Sequence, residues 1–163
     1  MSVHHDEFGT RALAELPEPP PPAASYLSVR RKDDLLFVAG QLPFVNGILP
    51  VTGKLGEDLE TEEGQQQARQ AMLNALAAAA HFVGNVHSLR AVQVTVFVAS
   101  SPNYLDHHLV ANGASETLIE MLGERGEHAR TTAPTPCLAM NAPVEVKALF
   151  QIVAGPSPRS EDR

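Results

Sequence analysis

Hydrophobic and polar positions alternate most clearly in two places along the chain. Val92, Val94, Val96 and Val98 alternate with Gln93, Thr95 and Phe97 in the run 91–99. Val144, Val146, Ala148, Phe150 and Ile152 fall on every second position of the run 144–153. Period two predicts strands with one buried face. Leu35 to Ala39 is an unbroken apolar run, which predicts a buried strand, and Tyr26 to Arg30 predicts a short strand before it, joined by a turn at Asp33-Asp34. Asn46-Gly47 is a hairpin-turn signal in the loop 44–56.

Helical spacing takes over at Thr61, which predicts an N-cap followed by Glu62 and Glu63 in the first turn. Ala68, Met72, Ala75, Leu76, Ala79 and Val83 recur on one stripe before Gly84-Asn85 ends it. An alanine stripe predicts a helix lying close on a sheet. A second helix is expected from the turn at Ser100 to Asn103 to about Leu122, with Val110, Ala114, Leu118, Met121 and Leu122 inward. Asn112-Gly113 interrupts it with weak helix formers, which points to packing or to a ligand. Pro134 and Pro136 exclude a central strand at those positions. The predicted order is β-β-loop-α-β-α-β-β, an α+β fold with two helices on one face of a mixed or antiparallel sheet. Phe97 is too apolar for a wet sheet face, so that face is expected to be buried against another subunit.

Residues 1–24 form a polar and proline-rich arm with His4-His5 and Pro19 to Pro22, and 154–163 form a polar tail. Residues 25–153 make one domain. Two terminal histidines without further ligands predict no metal site, and the prolines predict an extended polyproline II segment.

Composition narrows the partners. The formal charge is -7, from 12 Lys+Arg against 19 Asp+Glu, with no basic stripe, so no nucleic-acid partner is expected. No apolar run approaches a membrane span and no signal-peptide pattern is present, so a cytoplasmic protein without membrane contact is expected. Cys137, the one cysteine, has no adjacent base and is expected to be dispensable. Adjacent His107 and His108 point about 100° apart on a helix and make a poor metal pair.

The candidate chemistry lies late in the chain. Arg130 follows a Gly-rich break at 123–126, and Glu145 falls on the polar face of the last strand with Lys147. One reading is a plain ion pair on a sheet surface. The other gives Arg130 a substrate carboxylate, which its planar fork fits, and gives Glu145 a water to hold or activate.

Four segments taken together favour the second: Leu36-Phe37-Val38-Ala39-Gly40-Gln41-Leu42-Pro43, Val94 to Val98, Ala129-Arg130-Thr131-Thr132 and Ala142-Pro143-Val144-Glu145-Val146. In order and spacing the chain resembles the Rid family, reactive intermediate deaminases also called YjgF-like, including proteins formerly labelled endoribonuclease L-PSP. The resemblance covers residues 25–153. It implies a chorismate-mutase-like α+β subunit and a homotrimer with sites in the clefts between subunits. It implies hydrolysis of imines or enamines of 2-amino acids, such as 2-iminobutanoate and 2-iminopropanoate, to 2-oxo acids and ammonia, with no metal or organic cofactor. It implies that Arg130 binds the substrate carboxylate and Glu145 positions a water. Tyr26, Gly40, Asn112 and Thr132 would complete the substrate site. Two departures stand out: Ala39 replaces a frequent serine, and Thr132 replaces a frequent cysteine. Pro134 and Pro136, the proline-rich arm and a longer linker before Asn112 mark a divergent subgroup. The alternatives are a carboxylate-binding trimer without turnover and, against the charge, an endoribonuclease.

Overall fold

The computed structural model describes residues 16–154. Five strands and two long helices follow in the order β1 (Val29–Lys32), β2 (Leu35–Gln41), α1 (Thr61–Val83), β3 (Leu89–Ala99), α2 (His107–Leu122), β4 (Ala129–Thr135) and β5 (Val144–Ile152). The sheet order is β1-β2-β5-β3-β4. Only β3 and β4 run parallel; the other three pairings are antiparallel. A mixed sheet with both helices on one face is thus the observed architecture.

The helix-covered face is the core. Val94, Val96 and Val98 of β3 and Val144, Val146, Ala148 and Phe150 of β5 are all buried there. Against them lies the α1 stripe of Ala68, Ala71, Met72, Ala75, Leu76 and Ala79, each fully buried. Small side chains let the helix axis approach the sheet closely. Phe150 is the largest fully buried residue, and such burial contributes roughly 1.5–3 kcal/mol. The helices also approach each other closely. A Cβ on Gly113 would lie 2.0 Å from the Gln65 carbonyl oxygen of α1, so packing explains this glycine. Arg69 and Glu120 bridge the two helices outside (Nη1–Oε2 2.5 Å, Nη2–Oε1 3.1 Å). That ion pair holds the Glu120 carboxyl below its ordinary range. Both groups are largely exposed, so the pair contributes at most about 1 kcal/mol.

The open face differs from the sequence expectation in three ways. Leu35 to Ala39 is not buried throughout, since Phe37 is 45% exposed on the uncovered side. An apolar run reports a strand with two apolar faces, and one of these has no cover in the protomer. Val92 does not join the buried valines, because the register slips between Ala91 and Gln93 and turns Val92 outward with Gln93. Tyr26 does not sit on a strand. β1 begins at Val29, which pairs with Val38, and Tyr26 lies in the preceding bend.

Local stops follow the sequence closely. Asp33 takes φ 55° in the two-residue β1–β2 turn. Asn46 and Gly47 take φ 50° and 78° between the bridged Val45 and Ile48. Gly84 ends α1 in the left-handed region, its N–H donating to the Ala80 carbonyl. The α1 N-cap is Glu60 rather than Thr61. Glu63 accepts from the Glu60 N–H at 2.9 Å, and the Thr61 hydroxyl instead meets the Tyr104 hydroxyl at 2.8 Å. Pro134 is accommodated because β4 is an edge strand. His4-His5 and most of the tail 154–163 lie outside the described residues. No described helix is long and apolar enough to cross a membrane.

Candidate functional site: two clusters on opposite faces of the sheet

The first cluster is built at the end of β2. β2 and β5 keep register from Leu35 to Val38, then slip before Gln41 pairs with Val146. The slip puts Ala39 and Gly40 on the open face beside Glu145. Glu145 lies there by its register with Phe97 of β3. A Cβ on Gly40 would lie 1.8 Å from Glu145 Oε1 and 2.7 Å from its carboxyl carbon. The glycine is therefore a space requirement of the carboxylate. Glu145 is half-buried and makes no hydrogen bond or ion pair among the described residues. Burial pushes its carboxyl above the ordinary 4.5.

Glu145, Gly40 and Tyr26 share one cleft of about 520 Å³, with Phe44 and Met140 at its walls. The loop after β2 is fixed from below. Asn74 of α1, fully buried, donates from Nδ2 to the carbonyls of Leu42 (2.9 Å) and Phe44 (3.0 Å). Gln70 donates to Asn74 Oδ1 at 3.1 Å. A buried amide inside an alanine stripe was the signal for this support, and the helical periodicity alone passes over it.

The second cluster lies on edge strand β4. Arg130 is in register with Val94 and Thr132 with Val96, so both project to the helix side. Arg130 Nη1 donates to Asn112 Oδ1 (3.0 Å) and to Ser115 Oγ (3.0 Å), and Nη2 donates to the His108 carbonyl (3.1 Å). Positions 108, 112 and 115 are neighbours on one face of α2. Ser115 Oγ also meets His128 Nε2 at 2.9 Å, and His128 Nδ1 meets the Gly126 carbonyl at 2.6 Å. A carbonyl can only accept, so Nδ1 carries the proton. In the neutral ring Nε2 then accepts from the Ser115 hydroxyl, whose oxygen is left to accept from Arg130. This chain holds the guanidinium plane fixed. Of its five N–H donors, three are used; the Nε–H and one Nη2–H have no partner among the described residues. Ser115 and His128 were not picked out from sequence; their only signal was the spacing to Asn112 and Arg130.

The structure thus joins Tyr26, Gly40 and Glu145, and separately joins Asn112 and Arg130, with Thr132 on the same side of β4 as Arg130. It does not join Arg130 to Glu145. β3 lies between β4 and β5, two strand spacings of roughly 10 Å in all, and the two side chains point to opposite faces. The ion-pair reading within one chain is ruled out by this topology. Cys137 is exposed. His107 is held by Ser100 (Nε2–Oγ 2.8 Å) and by an edge contact with Tyr104. Among the described residues no group of His, Cys, Asp and Glu could hold a metal ion.

The α+β fold with this sheet order belongs to a known class. Residues 10–152 match the family described as YjgF/chorismate mutase-like, putative endoribonuclease, and the chain belongs to that family. Protein TCP17 of Trypanosoma cruzi is 37% identical over 142 residues, covering 85% of this chain and 88% of TCP17. The solved structure of Atu1372 from Agrobacterium tumefaciens, a protein of unknown function, is 37% identical with TM-score 0.78, covering 82% of this chain and 86% of that one. A Shewanella oneidensis protein described as a putative endoribonuclease is 26% identical with TM-score 0.84, covering 88% of this chain and 98% of its own.

Proposed function

We propose that the chain is a hydrolase of small 2-imino acids that works as a homotrimer, each site formed by Arg130 of one subunit and Glu145 of the next. The observation that carries this reading is the incompleteness of each half-site. Arg130 is oriented and keeps two donors spare on a sheet edge. Glu145 is half-buried beside a cleft, without a cation, on a sheet face whose Phe37 and Val92 are exposed. Burying that face between subunits removes apolar surface from water and supplies each half-site with what it lacks.

The chemistry then follows from the groups. Arg130 takes the substrate carboxylate with its two spare donors as a bidentate pair. The imine carbon is thereby presented to a water held by Glu145. Water oxygen bonds to that carbon as the C=N π bond opens onto nitrogen, and Glu145 takes the water proton. Glu145 passes that proton to the nitrogen to give a carbinolamine, then takes the carbinolamine hydroxyl proton and delivers it to the amine as the C=O bond forms and the C–N bond breaks, giving the 2-oxo acid and ammonia. A carboxyl raised by burial is a better proton carrier near neutrality than an exposed one. All of this needs only side chains of this chain. The endoribonuclease reading is disfavoured by the formal charge of -7, which repels a polyanion.

The test is ammonia release from 2-imino acids generated in situ by an amino-acid oxidase, measured against the uncatalysed rate. Release no faster than the uncatalysed rate across the panel would remove the reaction.

The raised Glu145 pKa gives a separate expectation. A group that holds its proton more tightly when folded adds stability that is fully present below its unfolded pKa. That contribution is lost as pH rises through the folded value. In an Arg130→Ala background, where no neighbouring guanidinium can offset the charge, Glu145→Gln should raise Tm at pH 7 and leave it unchanged well below pH 4.5. Thermal unfolding across this range reads the sign; a lower Tm at pH 7 would mean the buried carboxylate is stabilising.

A further inference from the structure

We infer that the described part of the proline-rich arm and the turn at Met140 build a side-chain pocket on the Glu145 half-site, and that it selects substrates with a bulky apolar group of about leucine size. This rests on the reaction proposed above and specifies its substrate class.

The described part of the arm, from Leu16, lies against the domain. Leu16 packs against the core, and the chain then passes along the cleft through Pro20, Pro21, Ala23 and Ala24 to Tyr26. A short turn holds this passage: the Tyr26 N–H donates to the Ala24 carbonyl at 2.9 Å, and the Ala23 N–H donates to the Tyr26 hydroxyl at 3.3 Å. Opposite the arm stand Leu42 and Phe44, pinned by Asn74. Prolines carry no N–H, so the wall at Pro20 and Pro21 offers a ligand apolar surface and no donor.

Met140 lines the same cleft and is 61% exposed. It takes φ 58° and ψ 23°, and Asn141 takes φ 58°. Asparagine tolerates the left-handed region and an unbranched side chain such as methionine does so rarely. The turn is held in place, with the Asn141 carbonyl accepting from Gly53 N–H at 2.9 Å. A strained backbone that puts a thioether side chain on a cleft rim points to a use for that side chain.

The charge pattern fixes which end of a ligand enters. Among the described lining residues Glu145 is the one carboxyl, and none is a cation. A substrate carboxylate would meet repulsion here and must point away, toward Arg130 of the adjacent subunit. The part left for the cleft is the side chain. In a single chain this open cleft measures about 520 Å³, and its apolar lining extends well past what a methyl group would fill.

Two measurements test this separately from the reaction. Calorimetry compares the binding of pyruvate and of 4-methyl-2-oxopentanoate, the products that alanine- and leucine-derived imines would give. The full chain should prefer the larger by at least about tenfold, since each added methylene in an apolar pocket is worth roughly tenfold or more. Met140→Gly should cut that preference at least about threefold. Glycine suits the backbone at φ 58°, so this variant removes the side chain without endangering the fold. Ammonia release from the two imines should show the same order in kcat/KM. Equal or tighter binding of pyruvate, or a preference unmoved by Met140→Gly, would overturn the pocket assignment even if imines are hydrolysed. A preference that behaves as expected while no imine is hydrolysed would uphold the pocket and remove the reaction instead.

Discussion

Arg130→Ala should lower kcat/KM for a carboxylate-bearing imine by at least about a hundredfold, or ~2.7 kcal/mol. The substrate core is small and its carboxylate is the main polar handle. Charge-assisted hydrogen bonds contribute roughly 1.5–3 kcal/mol each, and two spare donors serve it. Arg130→Lys should recover only part, because an ammonium cannot reproduce the planar fork or hold Asn112, Ser115 and the His108 carbonyl at once. The fold should survive both changes, since Ser115 keeps His128 as a partner. Steady-state kinetics beside sedimentation of each variant checks this. Near-normal turnover with a dissociated oligomer would make the arginine an assembly residue.

The second large effect is expected at Gly40. An added methyl group would sit 1.8 Å from Glu145 Oε1. The clash is with the end of a flexible side chain, so the carboxylate swings away and the cost to folding stays small. Displacing a reacting group by about 1 Å can cost a hundredfold in rate, and Gly40→Ala should fall in that range. The effect should be non-additive. In a Glu145→Ala background no carboxylate is left to displace, and Gly40→Ala should cost almost nothing further. A double-mutant cycle on kcat reads this directly; additive losses would mean that Gly40 serves something other than the carboxylate.

The elements were legible where local chemistry decides them. Gly84 stops α1, Asn46-Gly47 turns its hairpin, and the alternation in β5 places Glu145 and Lys147 on the side opposite Val146 and Phe150. Register was not legible, since it is set by a partner strand distant in sequence. The slip at Ala91 and Gln93 turned Val92 outward, and the pairing of Val29 with Val38 moved the start of β1 past Tyr26. At the α1 start, Tyr104, 43 residues away, occupies the Thr61 hydroxyl and Glu60 takes the cap position. The site follows the same division. The resemblance picked out Arg130, Glu145, Gly40 and Asn112 by type. That Arg130 and Glu145 face opposite ways depends on β3 lying between their strands, which no spacing in the sequence encodes. Ser115, His128 and Asn74 belong to networks closed only by the tertiary fold.

Two half-sites from different subunits should make one site, and subunit mixing distinguishes this from two separate sites. Arg130→Ala and Glu145→Gln chains should each be nearly inactive alone. Co-expressed and purified together as mixed oligomers, they should regain about a quarter of the wild-type activity per site, because about one interface in four then pairs an intact Arg130 with an intact Glu145. If the mixed oligomers stay as inactive as either parent, Arg130 and Glu145 do not meet across an interface, and the account of the site fails.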